Sequence, residues 1–349
     1  MRVFFVLIAL ANTGCIEKFE FNTTEGDNLL VVNGSITQGP GPYELRLSRT
    51  TKFGTGPTAP VSGAQITIFD DTGRQESYFE TEPGLYLSLG NTVCGQGGST
   101  YFIEIRTDEN TIYRSYSETL PPLMQADRIY YELVKETSMN EIGNPIENRY
   151  IKIFVDTPVK KEGKDGWFRW RMIDTYTVTD LTCGPLDAPT TCYITEEPDP
   201  QNIPVFSSEA ITTDRLEKFQ LASNLFEPRY AYASQHYYNV YQYSITKAAY
   251  EYWEKISKIA NQEGTIFDPP PATIRGNLFN VNDESEIVLG YFEATAVDTV
   301  RTFSFKQDFP DITIPAFCTY GDVARGEQAC CNCLLLDNST LERPDYWDE

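Results

Sequence analysis

The chain is expected to fold as a mainly β protein. An immunoglobulin-like or transthyretin-like β-sandwich comes first, followed by a larger strand-rich domain that carries one amphipathic helix at about 246–262. Three observations predict this. Apolar and polar residues alternate in twos, as in Tyr43, Leu45 and Leu47 against Glu44, Arg46 and Ser48, the pattern of half-buried antiparallel strands. Turn-forming runs such as Gly39-Pro40-Gly41-Pro42 and Asp70-Asp71-Thr72-Gly73 separate these stretches. One stretch has a clear helical period.

A length of 349 residues suggests two folding units at ~150 residues per domain. At the amino end Arg2 precedes an apolar run over 3–11, and Thr13 and Gly14 then meet Cys15. This reads as a secretory signal over 1–14 ending in a lipid-attachment cysteine. The apolar run covers about half of the ~20 residues that a spanning helix needs, so the expected anchor is acyl chains on Cys15, at ~0.8 kcal/mol per buried methylene. Residues 15–28, with Glu17, Glu20, Glu25 and Asp27, read as a lipidated, solvated acidic tether.

The sandwich is assigned to 29–121. Its further strands are marked by Ala64, Ile66 and Ile68, by Tyr101, Ile103 and Ile105, and by shorter runs near 76–79, 85–87 and 112–116. Pro121-Pro122 breaks the pattern and sets the boundary. The second domain, 122–349, has strand patterns at 129–134, 150–155, 167–173, 286–291 and 302–305, and a Cys-rich end. The proline-rich span 180–204 is expected as an exposed excursion whose acidic patch, Glu196, Glu197 and Asp199, would touch a partner. In the helix, Ala249, Tyr252, Trp253, Ile256, Ile259 and Ala260 share a face, with Thr246 as N-cap and Gly264 past the end, and that stripe reads as core packing. A second, shorter helix would run from Asp214 to Leu221.

Fifty Asp and Glu against 28 Lys and Arg give a net charge of −22, which repels a phosphate backbone and argues against nucleic-acid binding. The 22 Tyr and 20 Phe are too many for a disordered acidic chain. A single histidine, His236, leaves little material for His-based catalysis. It reads as a hydrogen-bonded residue at a strand edge, within an aromatic run whose Tyr237 and Tyr241 would be open to a partner. The stretch Asn280-Val281-Asn282-Asp283-Glu284 lacks the EF-hand pattern and reads as a solvated turn. No catalytic set, metal site or cofactor motif emerges.

Eight cysteines in an exported chain point to disulfides. With Cys15 lipidated, seven remain, and an odd number forces at least one free thiol or an intermolecular bond. Cys94, isolated among Gly95, Gly97 and Gly98, is the expected free thiol. Cys183 and Cys192 bracket a short loop and are the simplest pair, leaving Cys318, Cys330, Cys331 and Cys333 as a carboxyl-terminal cluster. The adjacency of Cys330 and Cys331 suits disulfides better than a four-thiolate zinc site.

The run Tyr250-Glu251-Tyr252-Trp253, then Gly264-Thr265-Ile266-Phe267-Asp268-Pro269-Pro270-Pro271, Arg275-Gly276-Asn277-Leu278 and Val288-Leu289-Gly290-Tyr291-Phe292, resembles a Bacteroidetes lipoprotein family, the domain of unknown function forty-two forty-nine. Leu30-Val31-Val32-Asn33-Gly34-Ser35, Leu45-Arg46-Leu47-Ser48-Arg49-Thr50, Thr119-Leu120-Pro121-Pro122 and Arg343-Pro344-Asp345-Tyr346-Trp347 are similar to its pattern as well. The resemblance implies an outer-membrane lipoprotein of the kind encoded beside TonB-dependent receptors. Surface display in that phylum goes with acidic residues soon after the lipidated cysteine, where Glu17 and Glu20 stand here. Asp298-Thr299-Val300 resembles an O-glycosylation acceptor of the same phylum. The family brings no catalytic residues to carry over, and Gly276 before an apolar strand reads as a tight backbone turn.

The expected function is therefore that of a non-enzymatic envelope lipoprotein. It would be bound to the bilayer through Cys15 and accessory to a TonB-dependent β-barrel receptor in nutrient capture. The alternative is a stand-alone surface module binding glycan, peptide or metal.

Overall fold

The computed structural model describes residues 28–51, 58–140, 142–184, 188–261 and 274–347. Cys15, the signal and almost all of the tether, and the Gly264 to Pro271 motif lie outside the described residues. The protein is mainly β. Two-residue alternation becomes two-sided strands as expected: Tyr43, Leu45 and Leu47 are buried in the strand Tyr43–Arg49, as are Ile66 and Ile68 in Gln65–Asp70 and Tyr101, Ile103 and Ile105 in Thr100–Arg106.

Two cores result. In the first, the sheet formed by Leu30–Thr37, Tyr43–Arg49, Leu85–Ser88 and Phe79–Glu82 faces one formed by Ile112–Ser115, Thr100–Arg106, Gln65–Asp70 and Gln75–Ser77. Chain from beyond the proline boundary completes this sandwich. Leu278–Asn280 pairs with Ile112–Ser115, and the start of the 16-residue strand Leu289–Ser304 pairs in parallel with Leu30–Thr37. Leu278, Val288, Phe292, Ala294 and Ala296 belong to its core.

The second half of Leu289–Ser304 continues into the second core by pairing with His236–Ile245, which pairs in turn with Trp167–Thr179. One sheet thus runs through both bodies and across the boundary at 121. Its second part is backed by a three-stranded sheet of Arg128–Met139, Pro145–Pro158 and Arg215–Leu225, with Phe168, Trp170 and Val240 packed on Ile151, Val155 and Leu221.

Two expected elements differ. The short helix from Asp214 is the strand Arg215–Leu225, in which Lys218 has a φ of 52° and the register with Pro145–Pro158 slips. Such a bulge puts Leu216, Phe219 and Ala222 at a helix-like spacing although the backbone is extended. The excursion over 180–204 is also not all loop: Thr191–Glu196 pairs with Trp167–Thr179 and buries Cys192 and Ile194.

The main helix is Lys247–Ala260, with the Thr246 hydroxyl accepting from the Ala249 amide. Its Trp253 and Tyr252 pack against Ile245 and Tyr291, as the apolar stripe predicts.

Two disulfides tie the carboxyl-terminal segment to this sheet, Cys183–Cys331 and Cys192–Cys333, and a third, Cys318–Cys330, closes a loop within the segment. Cys94 is free and half-buried. The local Cys183–Cys192 ring does not form. The Leu181 amide bonds to the Cys330 carbonyl, which brings Cys183 beside Cys331, while sheet pairing holds Cys192 against Cys333. Cys192 and Cys333 are fully buried and lie 141 residues apart. Replacing both by Ala is expected to lower stability by about 2–5 kcal/mol, read from the urea midpoint, and to open the segment after residue 315 to protease. An unchanged midpoint would refute the assignment.

Candidate functional site: a lysine-rimmed cleft at the junction of the two cores

A short hairpin, Lys160–Lys161 with Lys164–Asp165, turns through Glu162 and Gly163, whose φ values of 52° and 74° make the tight turn that suits a twisted hairpin. The Asp165 carboxylate accepts from Ser208 Oγ at 2.9 Å and pairs with Lys160 Nζ at 3.2 Å, contacts that hold its pKa below the usual carboxylate range.

This hairpin overhangs a cleft of about 700 Å³. The opposite wall is the linker between the cores, with Thr119, Pro121, Pro122 and Met124. The linker is held down where Gln242 Nε2 donates to the Met124 carbonyl at 2.9 Å and the Met124 amide donates to Ser244 Oγ at 3.3 Å. Trp167, Phe168 and Ile245 also line the cleft, and the start of the helix, Thr246 and Lys247, closes one end.

Three lysines stand at the mouth. Lys247 pairs with Glu209 at 2.7 Å, Lys161 reaches the Leu123 carbonyl at 3.4 Å, and Lys164 has no ion pair among the described residues. The Trp167 indole N–H is buried without an acceptor among the described residues.

Beside the cleft, a buried polar network fixes the helix. Arg169 pairs with Glu293 at 3.0 Å and lies under the rings of Tyr243 and Trp253, with centroid distances of 4.0 Å and 4.5 Å. Trp253 Nε1 donates to the other Glu293 oxygen. Glu118, 4% exposed, accepts from the hydroxyls of Thr246 and Tyr291.

Burial raises the Glu118 pKa against the pull of those hydrogen bonds, and the nearby Glu293 raises it further. Folded Glu118 therefore binds its proton more tightly than in the unfolded chain. Its charge weakens the fold at neutral pH, and that penalty disappears as the pH falls below the ordinary carboxylate range near 4. Glu118→Gln, which mimics the protonated form, is expected to raise Tm at pH 7 but not at pH 4. An equal change at both pH values would contradict this.

The residues expected to meet a partner fall into two groups, the acids around one cavity and the tyrosines on one sheet face. Glu196 pairs with Arg229, and Glu197 makes a two-pronged bond to Arg171 at 3.0 Å and 2.8 Å, so both are half-buried and charge-satisfied. With Asp174 and Asp199 they line a second, polar cavity of about 530 Å³. Asp199 itself is exposed and caps a turn through the Asn202 amide.

Tyr237, expected to be open, is 1% exposed because Tyr346 and Trp347 of the carboxyl-terminal segment cover it. Tyr241 is half-buried on the same sheet face. His236 is not at an edge. It lies on an internal strand, fully buried, with Nε2 3.0 Å from Asp174 and Nδ1 3.2 Å from the Ala231 carbonyl, stacked on Tyr176 and Tyr232.

The cleft was not foreseen. Its residues come from 119–124, 161–168 and 244–247, and the sequence signal available for it is a lysine-flanked Glu162-Gly163 turn in an otherwise acidic chain.

Fold and site together define a disulfide-stapled, mainly β protein whose two cores share one sheet and enclose a cleft at their junction. The chain belongs to the family described as Domain of unknown function (DUF4249), which it matches over residues 16–301. No curated protein matches it. A solved structure titled "Biofilm associated protein - BSP domain" aligns at 6% identity with a TM-score of 0.16. The alignment covers 86% of this chain and 63% of that one.

The family motif has a structural reading. Gly276 and Gly290 let two backbones meet where no Cβ would fit, and the Asn277 side chain bonds both the amide and the carbonyl of Phe292, at 2.9 Å and 2.8 Å.

Proposed function

We propose that the protein is a non-enzymatic lipoprotein of the outer membrane, held by acyl chains on Cys15 and displayed at the cell surface. There it serves a TonB-dependent β-barrel receptor in nutrient capture. The observation that carries the reading is the framework of three disulfides, a feature of chains that fold in an oxidising compartment, in a sequence that also offers a secretory leader ending at Cys15. Family membership supports it, as does the engagement of the single histidine in a buried hydrogen-bonded pair.

The test has two arms. In cells fed an alkyne palmitate, the wild-type chain takes up label and fractionates with outer membrane, whereas Cys15→Ala does neither. Affinity purification from detergent-solubilised envelopes then recovers a β-barrel receptor. A wild-type chain without label refutes the anchor, and purification without a barrel refutes the accessory role.

A second reading, a stand-alone ligand-binding lipoprotein, is favoured by the cleft, whose volume lies within the ~300–1,000 Å³ typical of small-molecule sites.

A further inference from the structure

We propose that the cleft binds a small amphipathic anion: an apolar body inserted between the linker and the sheet, with one carboxylate, sulfonate or phosphate group held by the lysines at the mouth. The wall supplies the apolar half. Pro121, Pro122, Met124, Trp167, Phe168 and Ile245 line about 700 Å³, enough for a ligand of one or two rings or a medium acyl chain.

The rim supplies the charge. In a chain of net charge −22, Lys161, Lys164 and Lys247 converge on one opening. Of the acids nearby, Asp165 is held by Lys160 and Ser208, Glu209 is taken up by Lys247, Glu118 is buried behind the Thr246 hydroxyl, and Glu162 is exposed on the turn. Among the described residues, Lys161 and Lys164 therefore carry the uncompensated charge. Lys164 is left to meet a ligand.

The 14-residue helix adds to this field. Thr246 satisfies the Ala249 amide, while the Lys247 and Ala248 amides belong to the first turn, which has no intrahelical acceptor and favours negative charge. The inference is independent of membrane location or a receptor, so its failure would leave the accessory-lipoprotein reading as it stands and remove the support for the stand-alone ligand-binding one.

The experiment uses the full mature chain and two probes that share an anilinonaphthalene body, anionic 8-anilinonaphthalene-1-sulfonate and neutral N-phenyl-1-naphthylamine. Fluorescence titration is expected to give one sulfonate site per chain, with affinity about tenfold above that of the neutral probe and falling with added salt. Lys161 and Lys164 are exposed, so the paired change to Gln should leave the fold intact. It is expected to weaken sulfonate binding by about tenfold and leave the neutral probe unaffected, while the paired change to Arg retains binding.

Competition by dodecanoate assigns the apolar body to an acyl chain, and competition by N-acetylphenylalaninate assigns it to an aromatic ring. Equal affinity for the two probes, sulfonate binding unchanged by the Gln pair, or sulfonate displaced by neither competitor overturns the proposal.

Discussion

Gly290→Ala is expected to remove of the order of 4 kcal/mol of stability, a large share of the ~5–15 kcal/mol that a typical domain has, so that the chain unfolds at a much lower urea concentration. Gly290 has a φ of 82°, and a Cβ built there would sit 2.0 Å from the Val32 carbonyl oxygen. Val32 is its register partner in the parallel pairing that joins Leu30–Thr37 to Leu289–Ser304, so the strand cannot move away without opening the junction of the two cores.

Gly73→Ala is the control. Its φ is 85°, but a Cβ there meets nothing within 4 Å, so the change should carry only the conformational penalty of about 1–2 kcal/mol. Urea unfolding followed by circular dichroism separates the two. If both variants lose the same amount, the backbone clash is not what selects glycine at position 290.

Glu293→Ala is expected to cost about 3–5 kcal/mol. It leaves Arg169, whose side chain is 12% exposed, without its carboxylate, and takes the acceptor from Trp253 Nε1. Loss of a buried partner is more damaging than loss of the pair, because the remaining charge stays desolvated. The double replacement Arg169→Met with Glu293→Leu should therefore recover much of the stability.

The helix Lys247–Ala260 is what the pair holds, through Trp253, so trypsin cleavage at Lys255 and Lys258 should accelerate in the single variant and slow again in the double one. A double variant as unstable as the single one would show that the network does more than balance charge.

The largest elements were legible in the sequence because their causes are local. Alternation at Leu45, Ile66 and Ile103 follows from backbone pleating, and Thr246 ahead of an apolar stripe starts a helix by capping its own amides. The bulge at Lys218 defeated the same reasoning, because it breaks the period that the reading depends on. The cleft was illegible for another reason: Pro122, Lys164 and Thr246 become neighbours only after the strands have paired.

By itself the sequence determined a strand-rich chain with one main helix, an acidic surface and cysteines suited to disulfide bonding, since composition and short-range periodicity decide these. Only the tertiary structure decided that Cys192 joins Cys333, that His236 is interior, and that the strand Leu289–Ser304 closes one core and enters the next. Cys192 and Cys333 stand 141 residues apart, and Leu289–Ser304 pairs both with His236–Ile245 and with Leu30–Thr37 near the other end of the chain, so the local pattern of side chains carries no record of which distant strand will lie alongside.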